Sequence, residues 1–526
     1  ESTIAEMQQK GFETFLSEQF AAKGIGYENL PNALDPVIIA GVQPVNCKYE
    51  DNNPGSASSQ CERDNYSTYP MQARFFQNAM NSPDQLRQRV AWSLSQLLVV
   101  SSTELFQSYT MQSFQRILFD NAFNNYRDIL YKVTVSPGMG QYLNMVNNDK
   151  PYGTYRPNEN YARELLQLFS IGKVKLNADG TPLLVNGAQV PTYGQAEIEG
   201  FAFTFTGWSY PPLPGKSPIF YSPRYFIGDM VAIPSHHATN SKKLLDGVTL
   251  PTNQTPEKDL NDAIDNVFNH PNVGPFVGKF LIQQLVTSNP TPEYVSRVTS
   301  AFNSNGKGVR GDMKAVIRAI LVDPEARGDS KTDPRYGHLK EPVLYTMNVL
   351  RAMNGKTDGN VIRYFNLTMG QEAFTPPSVF NYYPPDYVLA SEKISAPEFG
   401  IQNSSTAMLR INFAASMLFN RPAYYDAAQN KYITPLADTI TGTYRDSNFN
   451  GSIGTTIDWA SWKPIAADTT KLIEKINALM FHGSMSTGMK TSLTKAVNAV
   501  AADDLLLRAR TAVYLSVTSP QFQVER

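Results

Sequence analysis

The sequence predicts a mainly α-helical protein: a compact multi-helix body that carries a short β-hairpin and long loop insertions. Three observations predict it. Apolar residues recur at helical spacing through most of the chain, each such run is short and bounded by Pro, Gly or Asp, and strand-like texture is confined to one insertion. With 526 residues the chain exceeds the size at which a single core keeps growing, so a large body with appendages is expected. We place the main helical body at residues 1–415, with a β and loop insertion at about 173–235. A polar region and C-terminal helices, residues 416–526, pack on that body.

In PDQLRQRVAWSLSQLLVVSS, Leu86, Val90, Leu94 and Leu97 recur at helical spacing, and Pro83 and Asp84 suit a first turn. Further helices are expected over residues 104–121 and 126–135. Pro151, Gly153 and Pro157 mark a loop, after which NENYARELLQLFSIG predicts a helix from Asn158. VKLNADGTPLLVNGAQVPTY then offers two short extended runs around Asp179 and Gly180, a hairpin signal. QAEIEGFAFTFTGW predicts a helix whose end Gly207 would cap, with Trp208 as an anchor. YPPLPGKSP and IFYSPRYF suit loops and short strands over the body. Helices follow at 257–268, 273–286, 292–303 and 313–322, then at EPVLYTMNVLRAMNG, after Phe413, and three times near the C-terminus. A long polar region, residues 420–468, is the nearest thing to a boundary, and no repeat of fixed period is present.

Composition narrows the function. No apolar run is long enough to span a bilayer, and 46 basic against 47 acidic side chains give no surplus to collect phosphates, so neither a membrane span nor a nucleic-acid partner is expected. Only 18% of residues are charged, below the usual quarter or so, a balance associated with life outside the cytoplasm. Cys47 and Cys61 bracket a polar loop, and a disulfide there would add roughly 3 kcal/mol in the chain-entropy picture. A start at Glu1 without a leader is consistent with a removed signal peptide. Export to the periplasm or the medium is the resulting expectation.

Several constellations could carry chemistry. In the helix from Asn158, residues Asn160, Arg163, Glu164 and Gln167 share one polar face of an otherwise apolar helix, and Glu159 and Arg163 are four apart. Such a stripe lines a pocket or forms internal struts. As a pocket it would use Glu159 or Glu164 as acid or base with Arg163 as orienter, His237 as second base, and Asn158, Asn160, Trp208 and His236 as ligand contacts. His236 and His237 adjoin in PSHHATNSKK, where no HExxH or CxxC spacing completes a zinc shell. His270 before Pro271 reads as packing, and His338 and His482 have no evident partners. The sequence carries no GxSxG elbow, GxGxxG or Walker loop, which disfavours serine nucleophiles and nucleotide cofactors. Asp446, Asn448 and Asn450 before Gly451 resemble the first half of a calcium loop, although position 12 is Ile457 and an Asx-rich turn explains them as well. Calcium is the one cofactor the sequence suggests. The aromatic segments YPPLPGKSPIFYSPRYF and FTPPSVFNYYPPDY could stack on sugar rings or seat a peptide, or simply pack as rigid loops.

The order of these segments adds a resemblance. RPNENYARELLQLFSIG, PTYGQAEIEGFAFTFTGW, HHATNSKKLL, HPNVGPFVGKFLIQQLVTSNPTPEYV, GVRGDMKAVIRAILVDPEAR, KEPVLYTMNVLRA, GQEAFTPPSVFNYYPPDY and YLSVTSPQFQVER are similar to the ordered blocks of the bacterial domain of unknown function 1800, nearly end to end. One difference stands out, because the family pattern implies that many members carry His where this chain has Phe169, so a role resting on that His does not transfer. The resemblance implies bacterial origin, export and a partner encoded nearby with a phosphatase or sulfatase-like fold, and implies no activity. From the residues, two functions are open: a carboxylate-driven hydrolase or lyase acting on an envelope or extracellular polymer, or a non-catalytic scaffold that binds a partner protein.

Overall fold

The computed structural model describes the chain apart from residues 1, 29, 31–60, 62, 64–65, 106–107, 329–332, 334, 420–423, 427–430, 434–440 and 445–451. The molecule is mainly α, about 52% helical, with only small antiparallel sheets. The first half runs through α1 (Ser2–Lys10), α2 (Phe12–Ala21), α3 (Tyr69–Asn81), α4 (Gln85–Leu97), α5 (Ser108–Asp120), α6 (Tyr126–Thr134), α7 (Pro137–Tyr142), α8 (Asn160–Gln167) and α9 (Gln195–Thr204). Then come α10 (Pro256–Asn269), α11 (Val273–Leu285), α12 (Pro292–Asn303), α13 (Met313–Val322) and the short α14 (Pro324–Arg327). The rest holds α15 (Pro342–Ala352), α16 (Asn360–Thr368), α17 (Ser404–Phe419), α18 (Thr469–Met480), α19 (Thr487–Asn498), α20 (Leu505–Val517) and α21 (Pro520–Gln523).

Local chemistry explains the sharpest boundaries. Thr255 and Thr291 precede a proline, and their side chains accept from Lys258 N at 3.3 Å and Tyr294 N at 3.2 Å, so α10 and α12 start capped. Asp312 caps α13 through Ala315 N. Gly274 and Gly278 of α11 face α12, where an added Cβ would lie 3.1 Å from Thr299 or Val298, so missing side chains let the two helices approach closely.

Two expected helices start elsewhere, and the hairpin region gains a second turn. The helix expected from Asn158 begins at Asn160, because the Asn158 side chain instead folds back to accept Asn160 N at 2.8 Å in an Asx turn. The expected hairpin around Asp179 and Gly180 forms, with Leu176 bridged to Pro182 and Leu183 N bonded to the Lys175 carbonyl at 2.7 Å, and a second turn at Asn186 and Gly187, both left-handed, pairs β1 (Leu184–Val185) with β2 (Ala188–Gln189). The helix expected after Phe413 starts earlier, at Ser404.

Short strand pairs tie loops to the body: β3 (Trp208–Ser209) with β4 (Val231–Ala232), β5 (Lys242–Lys243) with β6 (Thr249–Leu250), and β7 (His338–Leu339) with the C-terminal pair of residues, Val524 and Glu525. One continuous hydrophobic core takes in Leu16 at the start, Phe114, Leu165, Phe201 and Ile264 in the middle, and Trp459, Ile476 and Phe522 near the end. No helix among the described residues is long and apolar enough to cross a membrane. The calcium candidates Asp446, Asn448 and Asn450, and Cys47 of the expected disulfide with Cys61, lie outside the described residues.

Candidate functional site

The loop before α8 organises the most accessible group of predicted residues. Asn147 holds its backbone left-handed at φ 58°, and its side-chain oxygen accepts from Ser209 Oγ at 2.8 Å and from Tyr221 N at 3.2 Å. Asn148 donates to the Asn158 carbonyl at 3.0 Å and accepts from Asn158 N at 2.8 Å and Tyr155 Oη at 3.2 Å. Asn160 Nδ2 reaches Asn144 Oδ1 at 3.2 Å. These amides knit residues 144–160 into one surface against the loop that holds Tyr221.

His236 belongs to that surface. Its carbonyl accepts Lys150 N at 3.0 Å, its ring stacks on Phe220 at 3.8 Å and 7°, and Nδ1 lies 3.0 Å from Asp149 Oδ2. The pair sits at ion-pair distance without forming a hydrogen bond. The ring edge bearing Nδ1 is buried while the side chain is 33% exposed, which leaves Nε2 as the nitrogen for a ligand. Around it, Tyr152 stacks on Tyr155 at 4.9 Å and stays 58% exposed, and Tyr221 is 64% exposed with a left-handed φ of 61°. A non-glycine residue in that conformation costs about 1–3 kcal/mol and is retained where surrounding bonds hold it, here the Asn147 side chain. Trp208 forms part of the floor, buried, with an indole N–H that has no acceptor.

The polar stripe on α8 divides between surface and interior. Glu159 accepts from Arg163 Nη2 and Gln195 Nε2, both at 2.8 Å, a half-exposed cluster joining α8 to α9. Glu164 is 8% exposed, and its Oε2 is buried without a hydrogen-bond partner. Burial raises its carboxyl above the usual range, against the opposing pull of Arg163 and Lys173. Arg163 therefore bonds Glu159 and acts on Glu164 only through its charge.

His237 points the other way. It is buried, with Nδ1 2.9 Å from the Thr206 carbonyl and Nε2 2.8 Å from Asp259 Oδ2. Both partners are acceptors, so both bonds form together only with a doubly protonated ring. Lys242 Nζ lies 2.6 Å from the same carboxylate oxygen and donates to the carbonyls of Ala238 and Asn240, while Gln254 Nε2 donates to Asp259 Oδ1 at 2.6 Å. Burial pushes the Asp259 carboxyl up, but the bonds from His237, Lys242 and Gln254 outweigh it and hold it below the usual range. The cluster is closed, and no hydrogen bond or ion pair links it to Glu164, Arg163 or Glu159.

The family model for proteins of unknown function DUF1800 matches residues 1–524. The chain belongs to this family. No curated protein and no solved structure matches the chain. Within this DUF1800 chain, Phe169 is fully buried and its carbonyl accepts Tyr126 Oη at 2.6 Å, so that position serves packing.

The sequence reading missed a further polar centre of the DUF1800 chain. Glu341, buried at the head of α15, accepts from Trp92 Nε1 at 2.6 Å, Gln371 Nε2 at 2.6 Å, Tyr383 Oη at 2.8 Å and Gln96 Nε2 at 3.2 Å. Gln96 is in turn bonded by Asn381, another left-handed residue at φ 68°. The available signal was the pair of non-amphipathic blocks KEPVLYTMNVLRA and GQEAFTPPSVFNYYPPDY, which supply Glu341, Gln371, Asn381 and Tyr383. Four donors on one carboxylate join α4, α15 and the 371–383 loop, an arrangement of internal struts. A separate surface cavity of about 570 Å³ at Asn177, Thr181, Pro182, Leu183, Leu184 and Gln189 has no titratable side chain in its lining.

Proposed function

We propose that this chain is an exported protein that holds a periplasmic or extracellular polymer on the Asn144–Asn160 surface and acts on it as a hydrolase or lyase. His236 serves as the base. The observation that carries the reading is the Asp149–His236 pair, with Nδ1 turned to the carboxylate, the ring clamped on Phe220, and exposed tyrosines beside it. A base needs an orienting acceptor on one nitrogen and access on the other; Asp149, 3.0 Å from Nδ1, is placed in the first role, and the partly exposed ring supports the second. His237, Glu159 and Arg163 are each committed to internal partners and take supporting roles. Export draws on the low charge content and on the two cysteines, Cys47 and Cys61, whose spacing suits a bridge in an oxidising compartment.

The purified chain is incubated with peptidoglycan sacculi, polygalacturonate and dextran, scoring polymer retention and release of new chain ends. His236→Ala and Asp149→Asn should abolish release and keep retention. Release by His236→Ala at the wild-type rate would sink the base role. Retention with no release by any form would favour the second reading, a non-catalytic scaffold for a partner such as a phosphatase-like protein. The closed Asp259 and Glu341 clusters supply that alternative with its support, since they behave as struts.

A further inference from the structure

The Asn144–Asn160 surface has a charge character that the proposed base does not use. Lys150, Arg156 and Arg224 are exposed there, and none has a carboxylate within ion-pair distance among the described residues. Arg156 Nη1 donates only to the carbonyls of Tyr155 at 3.0 Å and Gly153 at 3.4 Å, which fixes the guanidinium against its own loop. Lys150 is tied at its backbone to the His236 carbonyl, so its side chain issues beside the base. Arg224 follows Ser222, whose N–H bonds Ser209 Oγ on the Asn147 side chain. The two carboxylates of the same loop are already engaged, Asp149 by His236 and Glu159 by Arg163 and Gln195. Cations without carboxylate partners remain around Tyr152 and Tyr221, both more than half exposed.

We infer that the polymer held here is an acidic polysaccharide, its sugar rings lying on Tyr152 and Tyr221 and its carboxylates meeting Arg156, Lys150 and Arg224. This deepens the proposed function and rests on the same surface. Guanidinium and ammonium groups suit carboxylates, Arg in a paired fork and Lys as a point charge. The amides of Asn144 and Asn160 each offer both a donor and an acceptor, the complement of a ring hydroxyl. Flat aromatic side chains supply apolar contact area to a rigid ring at little entropic cost. An acidic peptide fits less well, because extended peptides commonly add to an open sheet edge and the strand of this region, Trp208–Ser209, is buried on both residues.

The test titrates the full chain calorimetrically with polygalacturonate and with its fully methyl-esterified form, which keeps the rings and removes the charge. We expect the acid form to bind at least about tenfold more tightly, more weakly as salt is raised. The Lys150→Ala, Arg156→Ala double variant should lose about tenfold for the acid form alone. Tyr221→Ala should weaken both forms, and thermal unfolding of each variant reports whether it has folded. Equal binding of the two forms with a Tyr221 dependence would overturn the acidic class and leave the surface as a polysaccharide site. Tighter binding of poly-glutamate than of polygalacturonate would also overturn it, in favour of a peptide. Binding of neither form by a folded wild-type chain would overturn this inference, and if sacculi and dextran also fail to be retained the proposed function falls with it.

Discussion

Two of the buried acidic side chains, Glu164 and Asp259, meet burial in opposite ways. Glu164 leaves one oxygen unpaired and its carboxyl is raised, whereas Asp259 is surrounded by donors and its carboxyl is lowered. The pH consequences therefore have opposite signs. A raised group makes folding most favourable below its unfolded pKa, about 4.3 for Glu, and that contribution is lost as pH rises through the folded value. Glu164→Gln copies the protonated form. It should leave Tm nearly unchanged at about pH 4 and raise it at about pH 8, where wild type carries the ionised cost. Differential scanning calorimetry at the two pH values checks this, and a lower Tm at the alkaline end would mean that the ion itself is a strut. Asp259 runs the other way, its contribution present above the unfolded carboxylate pKa and lost as pH falls through the folded one.

At the scale of elements, Asp259 is the pin that fastens the loop between β4 and β6 to the helical body. The loop brings His237 and Lys242, α10 brings Asp259, and Gly200 of α9 lets Lys243 pass so close that a Cβ there would lie 1.8 Å from the Lys243 carbonyl oxygen. Asp259→Ala would leave the buried Lys242 ammonium without its carboxylate and the buried His237 ring without its acceptor, a change that costs about 3–5 kcal/mol when one partner of a buried pair is removed. Urea unfolding should show that loss, and hydrogen exchange should speed up across residues 234–243 before the rest of the molecule responds. Unchanged exchange in that loop would assign its docking to the β5–β6 pair instead. The helices were legible in the sequence where local chemistry terminates them, as Thr255-Pro256 and Thr291-Pro292 do. Their partners were not. Asn158, Asn160 and His236 stand out as polar residues in recognisable segments, but Asp149 sits in MVNNDKP without periodicity, and only the folded loop sets it beside His236. His237 reads as a second base from its polar loop, PSHHATNSKK, yet the residue after the 234–236 turn is buried. The left-handed Asn147 and Tyr221 follow from tertiary bonds, which no local pattern reports.

At the scale of the whole molecule, the chain end closes the structure from outside. Val524 and Glu525 pair with Leu339 and His338, Lys340 N donates to the Gln523 carbonyl at 2.8 Å, and Lys340 Nζ donates to the Phe522 carbonyl at 2.7 Å. Phe522 is buried against Tyr345 of α15 and Phe481 after α18, so the same short tail touches the middle and the end of the sequence. Gly337 is the hinge that permits this, since at φ 106° a Cβ would meet the Glu525 carbonyl oxygen at 2.1 Å. Phe522→Ala should cost about 3–5 kcal/mol, the usual range for a buried Phe, in a single urea transition of unchanged slope. Deleting residues 519–526 should cost more, because it also leaves the buried Lys340 ammonium without its carbonyl partner. If the deletion instead split the transition in two, with the α18–α20 segment melting first, the tail would be the joint between two cooperative units rather than the closure of one. Tyr345 decides between these outcomes: its hydroxyl bonds the Val517 carbonyl at 3.2 Å, so α15 and α20 stay linked without the tail, and one transition is the expected result.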